Sequence, residues 1–192
     1  MRGPARAILR LAGWQIIGAP PPIPRYVVIA APHTSNWDGV LMLLATTALQ
    51  YPLNFLMKDS LFRGPLGPVA RRLGGIAVDR RRSANTVEQI AAAFRQRETM
   101  ALAIAPEGTR RPAECWRSGF YHIAIQAGVP IVLGYIDYAR REVGFGPVLW
   151  PTGDVAADMD RIRAFYAGKT ARHPDRVGPI RLREELRPSA KR

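Results

Sequence analysis

The chain has 192 residues, 47% hydrophobic and 22% charged, which suits one domain with one sizeable core and excludes a largely disordered chain. Its 28 Lys+Arg against 15 Asp+Glu give a formal net charge of +13, a field that attracts anions: nucleic acid, anionic lipid headgroups or phosphorylated substrates. A single cysteine, Cys115, and three histidines exclude an internal disulfide framework and a Cys-rich zinc site, and point to a reducing compartment.

Apart from Lys58, Lys169 and Lys191, every basic residue is arginine. Arginine suits bidentate phosphate contacts, although a bias in codon usage gives the same composition. The N-terminal residues lack a compact apolar run followed by a small-residue cleavage site, so they read as mature sequence. Residues 4–17 are expected to form a helix with Arg2, Arg6 and Arg10 along one face. Ile8, Leu9, Leu11, Trp14, Ile16 and Ile17 cover the rest. Such a helix either lies in a membrane interface or docks on the core with an arginine edge. Pro20, Pro21, Pro22 and Pro24 end it.

Residues 26–31 (YVVIAA) are β-branched and apolar, a buried strand, and 38–50 follow as a helix. Residues 40–49 are the longest apolar stretch, interrupted by Thr46 and Thr47; a spanning helix needs roughly 20 apolar residues. A short strand at 55–57, a Gly-Pro-broken turn-and-helix at 61–72 and a strand at 76–78 come next. Residues 83–97 read as a helix capped by Ser83, with Val87, Ile90, Ala91 and Phe94 on one face. Residues 100–105 form another buried strand, 120–127 a helix stopped by Gly128, and 131–136 and 148–150 further strands. A final amphipathic helix ends at Tyr166. Pro174, Pro179 and Pro188 with dense charge then suggest a loose tail. The alternation of short apolar runs and helices predicts an α/β domain: a mixed, mostly parallel central sheet flanked by helices, with an amphipathic N-terminal helix.

In open α/β sheets ligands gather at the carboxyl ends of strands, and three punctuated loops stand there. The first runs from Pro32 to Asp38. Across a strand-to-helix turn, His33 and Asp38 can meet, the carboxylate fixing the imidazole tautomer and leaving the other nitrogen free as a base. Taken alone, the spacing equally describes a surface histidine and a helix N-terminal charge. The second, Pro106-Glu107-Gly108-Thr109-Arg110-Arg111, offers close backbone approach and phosphate donors, or simply a polar turn with a Glu–Arg pair. The third, Gly75 to Arg80 followed by Arg81 and Arg82, is a phosphate grip or a solvated charge run.

Together these blocks resemble the glycerolipid acyltransferase superfamily, whose members acylate glycerol phosphate, lysophosphatidic acid and other lysophospholipids. His33 and Asp38 match its His-x4-Asp motif, Gly75 and Arg80 its second block, and Glu107-Gly108-Thr109-Arg110 its third letter for letter. Val129-Pro130-Ile131-Val132 matches its fourth. The order is the family's. Two positions depart from it: Pro32 precedes the motif histidine where many members carry Asn, and Leu133-Gly134 stand where a second Pro is common.

The resemblance implies a glycerol-phosphate acyltransferase-like fold with residues 1–22 as amphipathic helix and proline linker, 23–170 as the acyltransferase domain and 171–192 as a basic loose tail. It implies direct acyl transfer, with His33 as general base and Asp38 as its orienting partner. The donor is acyl-CoA or acyl carrier protein, used as substrate, with no cofactor or metal. The acceptor is a hydroxyl of a lysophospholipid such as 1-acylglycerol 3-phosphate. Arg80, Gly108, Thr109 and Arg110 would hold the acceptor phosphate. Glu107 would orient the loop or the acceptor, and Arg117 is a further phosphate or carrier contact. Cys115 as a nucleophile is set aside, since nothing in the sequence places it beside His33; His122 reads as a packing or surface residue, and His173 lies in the tail. The expected setting is the cytoplasmic face of an anionic membrane. The alternatives are an acyltransferase for an amino- or non-phosphate lipid, a non-catalytic lipid-surface scaffold, and a basic nucleic-acid binder. The last is supported by charge alone, and no nucleic-acid partner is expected.

Overall fold

The computed structural model describes residues 2–72, 74–78 and 83–186. Its strands are β1 (Gln15–Ile17), β2 (Arg25–Ala31), β3 (Asn54–Lys58), β4 (Gly75–Val78), β5 (Met100–Ile104), β6 (Ile131–Asp137) and β7 (Glu142–Leu149). Its helices are α1 (Arg2–Leu11), α2 (Asn36–Leu49), α3 (Gly67–Arg72), α4 (Ser83–Arg95), α5 (Gly119–Ala127) and α6 (Val155–Tyr166). One sheet holds all the strands in the order β1-β7-β6-β2-β5-β3-β4. β6, β2, β5, β3 and β4 run parallel, β7 is antiparallel to β6, and β1 lies parallel beside β7. The single α/β domain with a mixed, mostly parallel sheet is thus present.

The central strands are apolar throughout because both faces are covered, as parallel sheets require. Val27, Ile29, Leu102, Ile131 and Leu133 face Ile90 and Phe94 of α4, Phe120 and Ile123 of α5, and Met159 and Ile162 of α6. The alternate residues Tyr26, Val28, Ala101, Ala103 and Val132 face the other way, toward α2, as the two-residue period of a strand dictates. After β2 the chain moves out to β3 and β4, returns as β5 beside β2, and crosses to β6 on the other side of β2. The carboxyl ends of β2 and β5 therefore adjoin at the point where the winding reverses.

Two expectations need correction. The helix expected over 4–17 stops at Leu11, and Gly13, at φ +76°, turns the chain so that Gln15, Ile16 and Ile17 pair with Glu142, Val143 and Gly144. Residues 2–17 are therefore no separate appendage. Ala5 and Leu9 are buried and Leu9 packs with Leu41 and Ala45 of α2, while Arg10 is exposed. The Arg2 side chain lies outside those described. The second correction concerns the tail. Residues 171–186 are fastened to the domain: Ala171 and Leu182 are buried, Trp116 N–H donates to the Arg181 carbonyl at 2.8 Å, and Arg163 Nη1 pairs with Glu185 Oε1 at 2.7 Å. Residues 187–192 lie outside the described residues.

Candidate active site

Pro32, buried, carries the chain off the end of β2, and Ser35 caps α2. The Ser35 hydroxyl accepts the Trp37 N–H at 3.2 Å, and Asp38, three residues into the helix, reaches back to accept the Ser35 N–H at 2.8 Å. This reciprocal cap folds the five-residue offset into a contact. His33 Nδ1 lies 3.2 Å from Asp38 Oδ2, with the histidine side chain 26% exposed and the aspartate 4%.

A carboxylate so buried would ordinarily be protonated more easily. Burial does push the Asp38 pKa up, but hydrogen bonds from His33, Tyr138 and the Ser35 backbone outweigh it and hold the group below its usual value of 3.8. Oδ2 also accepts the Thr34 N–H at 2.8 Å, and Oδ1 accepts the Tyr138 hydroxyl at 2.7 Å. An ionised Asp38 accepts only, so His33 Nδ1 is the donor and Nε2 is the nitrogen that can take a proton.

The end of β5 supplies the second wall. Glu107 Oε1 accepts the His33 backbone N–H at 2.9 Å, while its Oε2 is buried without a hydrogen-bond partner among the described residues. Burial, aided by the Asp38 charge, raises the Glu107 pKa against the His33 and backbone hydrogen bonds that lower it. Glu107 thus ties the end of β5 to the loop that carries His33. Gly108 adopts φ +65°, and a Cβ there would lie 2.5 Å from Arg117 Nε. Only glycine leaves room for Arg117 to lie across the loop. Thr109 Oγ1 accepts the Arg111 N–H at 3.2 Å, and Arg110 Nη1 donates to Asn36 Oδ1 at the start of α2.

His33, Asp38, Gly108, Thr109, Arg110 and Arg117 all border one cavity of about 990 Å³. Arg111 and Arg176 add charge to its wall, and between α2 and the sheet it is lined by Met42, Leu49, Leu53, Phe55 and Val28. Of the expected site residues only Arg80 is not placed: residues 79–82 lie outside the described residues, and β4, which leads to them, stands three strands from β2. Cys115 lines an adjoining cavity of about 590 Å³ that shares Thr109, Arg117 and Gly119 with the first, and His122 pairs with Glu184 at 3.1 Å. Sequence reasoning missed Tyr138, which follows β6. The strand-end rule that singles out His33 and Glu107 applies there too, but a lone tyrosine has no motif around it. Pro130 enters β6 as the fourth block suggested, its carbonyl accepting the Val27 N–H at 3.0 Å.

A model of the acyltransferase family matches residues 20–135, a stretch that contains all four blocks. No curated protein matches the sequence. Among solved structures the fold is similar to the crystal structure of the 1-acyl-sn-glycerophosphate (LPA) acyltransferase PlsC from Thermotoga maritima. The identity is 14%, the alignment covers 89% of this chain and 80% of that one, and the TM-score is 0.58.

Proposed function

This chain belongs to the acyltransferase family, and from that premise we propose that it moves a fatty acyl group from acyl-CoA or acyl carrier protein to a hydroxyl of a lysophospholipid such as 1-acylglycerol 3-phosphate. The observation that carries this reading is the His33–Asp38 pair at a cavity whose one part is apolar and whose other part is bordered by Arg110, Arg111, Arg117 and Arg176. Such a cavity suits an acyl chain beside an anionic headgroup. His33 Nε2 removes the acceptor hydroxyl proton, and the oxygen attacks the thioester carbonyl carbon. The tetrahedral intermediate collapses by breaking the C–S bond, and the thiolate takes the proton from His33. The products are an ester and a free thiol. Asp38 stabilises the imidazolium in between. The Thr109 hydroxyl and Arg110 bind the acceptor phosphate, joined by Arg80 on the family pattern.

The test is a panel of purified lysolipids offered with labelled acyl-CoA and labelled acyl carrier protein. Arg110→Ala should raise KM for a phosphorylated acceptor by roughly tenfold, as loss of a charge-assisted hydrogen bond predicts, and leave KM for the dephosphorylated analogue nearly unchanged. Equal losses with both would make Arg110 a structural residue, held by its bond to Asn36.

The reading includes peripheral attachment to the cytoplasmic face of an anionic membrane. No helix among the described residues is long and apolar enough to cross a membrane. Support comes from the outer faces of the packed helices α1 and α2, where Ile8, Leu11, Trp37, Val40 and Leu43 are exposed beside Arg10. Wild type should sediment with anionic vesicles at low salt. Arg6→Gln with Arg10→Gln should weaken that binding, since exposed charges are screened within about 10 Å at 0.1 M salt. Leu11→Ser, Val40→Ser and Leu43→Ser together should remove the salt-resistant part. Wild type left in the supernatant at low salt would refute the attachment.

A further inference from the structure

Among the described residues, Asp38 receives three donors on one oxygen and one on the other: Oδ2 accepts from Thr34 N–H, Ser35 N–H and His33 Nδ1, whereas Oδ1 accepts the hydroxyl of Tyr138, at 2.7 Å. A buried carboxylate oxygen stripped of its one donor is costly, and it relaxes by rotating about the Cβ–Cγ bond, which moves both oxygens and so disturbs the bond to His33. Tyr138 is itself fixed from several sides. Its N–H donates to the Thr170 carbonyl at 2.9 Å, its ring meets Trp14 edge-on at 5.0 Å, and the Arg172 guanidinium stands 5.9 Å from its centroid. The turn that presents it is held by Asp137 Oδ1, which accepts the Ala139 and Arg140 N–H groups at 3.1 and 3.3 Å. A residue pinned by backbone, ring and guanidinium has little freedom to leave Asp38.

Resting on the acyl-transfer reading above, we propose that Tyr138 is a positioning residue for catalysis: its hydroxyl locks the Asp38 carboxylate in the rotamer that aligns His33 with the acceptor. It lies beyond the family-matched residues 20–135 and outside all four sequence blocks. Its proton stays in place at working pH, because burial, the hydrogen bond to Asp38 and the Asp38 charge raise the phenol well above its ordinary range and outweigh the neighbouring Arg172, which lowers it. The hydroxyl is therefore a donor to Asp38 and takes no proton in the reaction.

Tyr138→Phe keeps the ring, with its edge contact to Trp14 and its place beside the Arg172 guanidinium, and deletes the oxygen that bonds Asp38 and also faces Arg172. The expected result is a kcat lowered by about tenfold or more, the scale of one hydrogen bond to a charged group, with KM for both substrates within about twofold of wild type. In an Asp38→Asn background, followed in single turnovers with excess enzyme, Tyr138→Phe should cost little more, because the hydroxyl acts through Asp38. A Tyr138→Phe variant with wild-type kcat would overturn the proposal, as would an equal loss in both backgrounds, which would make Tyr138 a packing residue or one that acts elsewhere. His33→Ala, assayed alongside, separates the two levels. If His33→Ala is inactive while Tyr138→Phe is unimpaired, this inference fails and the acyl-transfer reading stands. If His33→Ala stays active, the reading itself fails.

Discussion

His33→Ala is expected to lower kcat for acyl transfer by roughly 10²–10⁴-fold, the contribution of a positioned general base, with KM for donor and acceptor little changed. His33 Nδ1 is committed to Asp38 at 3.2 Å, so Nε2 is the proton acceptor the site offers at the cavity. Glu107 does not substitute for it, since Oε1 is occupied by the His33 N–H and Oε2 is buried. The fold should survive, because the His33 side chain is partly exposed and it is the backbone N–H, kept in alanine, that bonds Glu107. Circular dichroism and the thermal midpoint check the fold; a steady-state assay checks the rate. A variant that keeps more than about a tenth of the wild-type rate would remove His33 from the role of base.

Asp38→Asn should damage rate and stability together. Two backbone N–H groups, the imidazole N–H and the Tyr138 hydroxyl all donate to this one carboxylate. An amide has a single acceptor oxygen and turns an NH2 group toward some of those donors. A loss of roughly 2–4 kcal/mol at neutral pH is expected, with a rate lowered by roughly 10²-fold or more as His33 loses its tautomer. The pH dependence carries a definite sign. The folded-state pKa of Asp38 lies below its ordinary value of 3.8. Its ionised form therefore contributes fully above that unfolded value, and the contribution is lost as pH falls through the lower folded value. Urea titrations should show wild type and Asp38→Asn well separated near about pH 7 and converging below about pH 4. A gap that stays constant with acid would mean that the ionised carboxylate is not what stabilises the loop.

The parts of the molecule legible in the sequence are those whose determinants are local. β2, β5 and β6 are unbroken apolar runs, and Val87, Ile90, Ala91 and Phe94 repeat at helical spacing, with Ile90 and Phe94 now in the core. His33, Asp38 and Glu107 sit in recognisable blocks directly after two of those strands. What escaped depends on distant partners. Ile16 and Ile17 fit a helical stripe as well as a strand, and only pairing with Val143 and Gly144 decides the matter. β7 (EVGFGPVL) carries two glycines and a proline, so only its last residues read as strand. Leu182 lies among prolines and charges that suggest a loose tail, yet it is fully buried. Tyr138 belongs to the site by virtue of a contact spanning 100 residues, which no local pattern announces.

The Tyr138 bracket also bears on modularity. Trp14 precedes the family-matched stretch, and Tyr138, Thr170 and Arg172 follow it, yet all four converge on the support of Asp38. The His173 N–H closes the same circuit by donating to Thr34 Oγ1, next to His33, at 3.2 Å. The four blocks are accordingly not a transplantable cassette. A chimera that grafts residues 20–135 onto another member's flanks would inherit the base, its carboxylate and the arginines, and would still lack the hydroxyl that steadies them unless the recipient supplied its own.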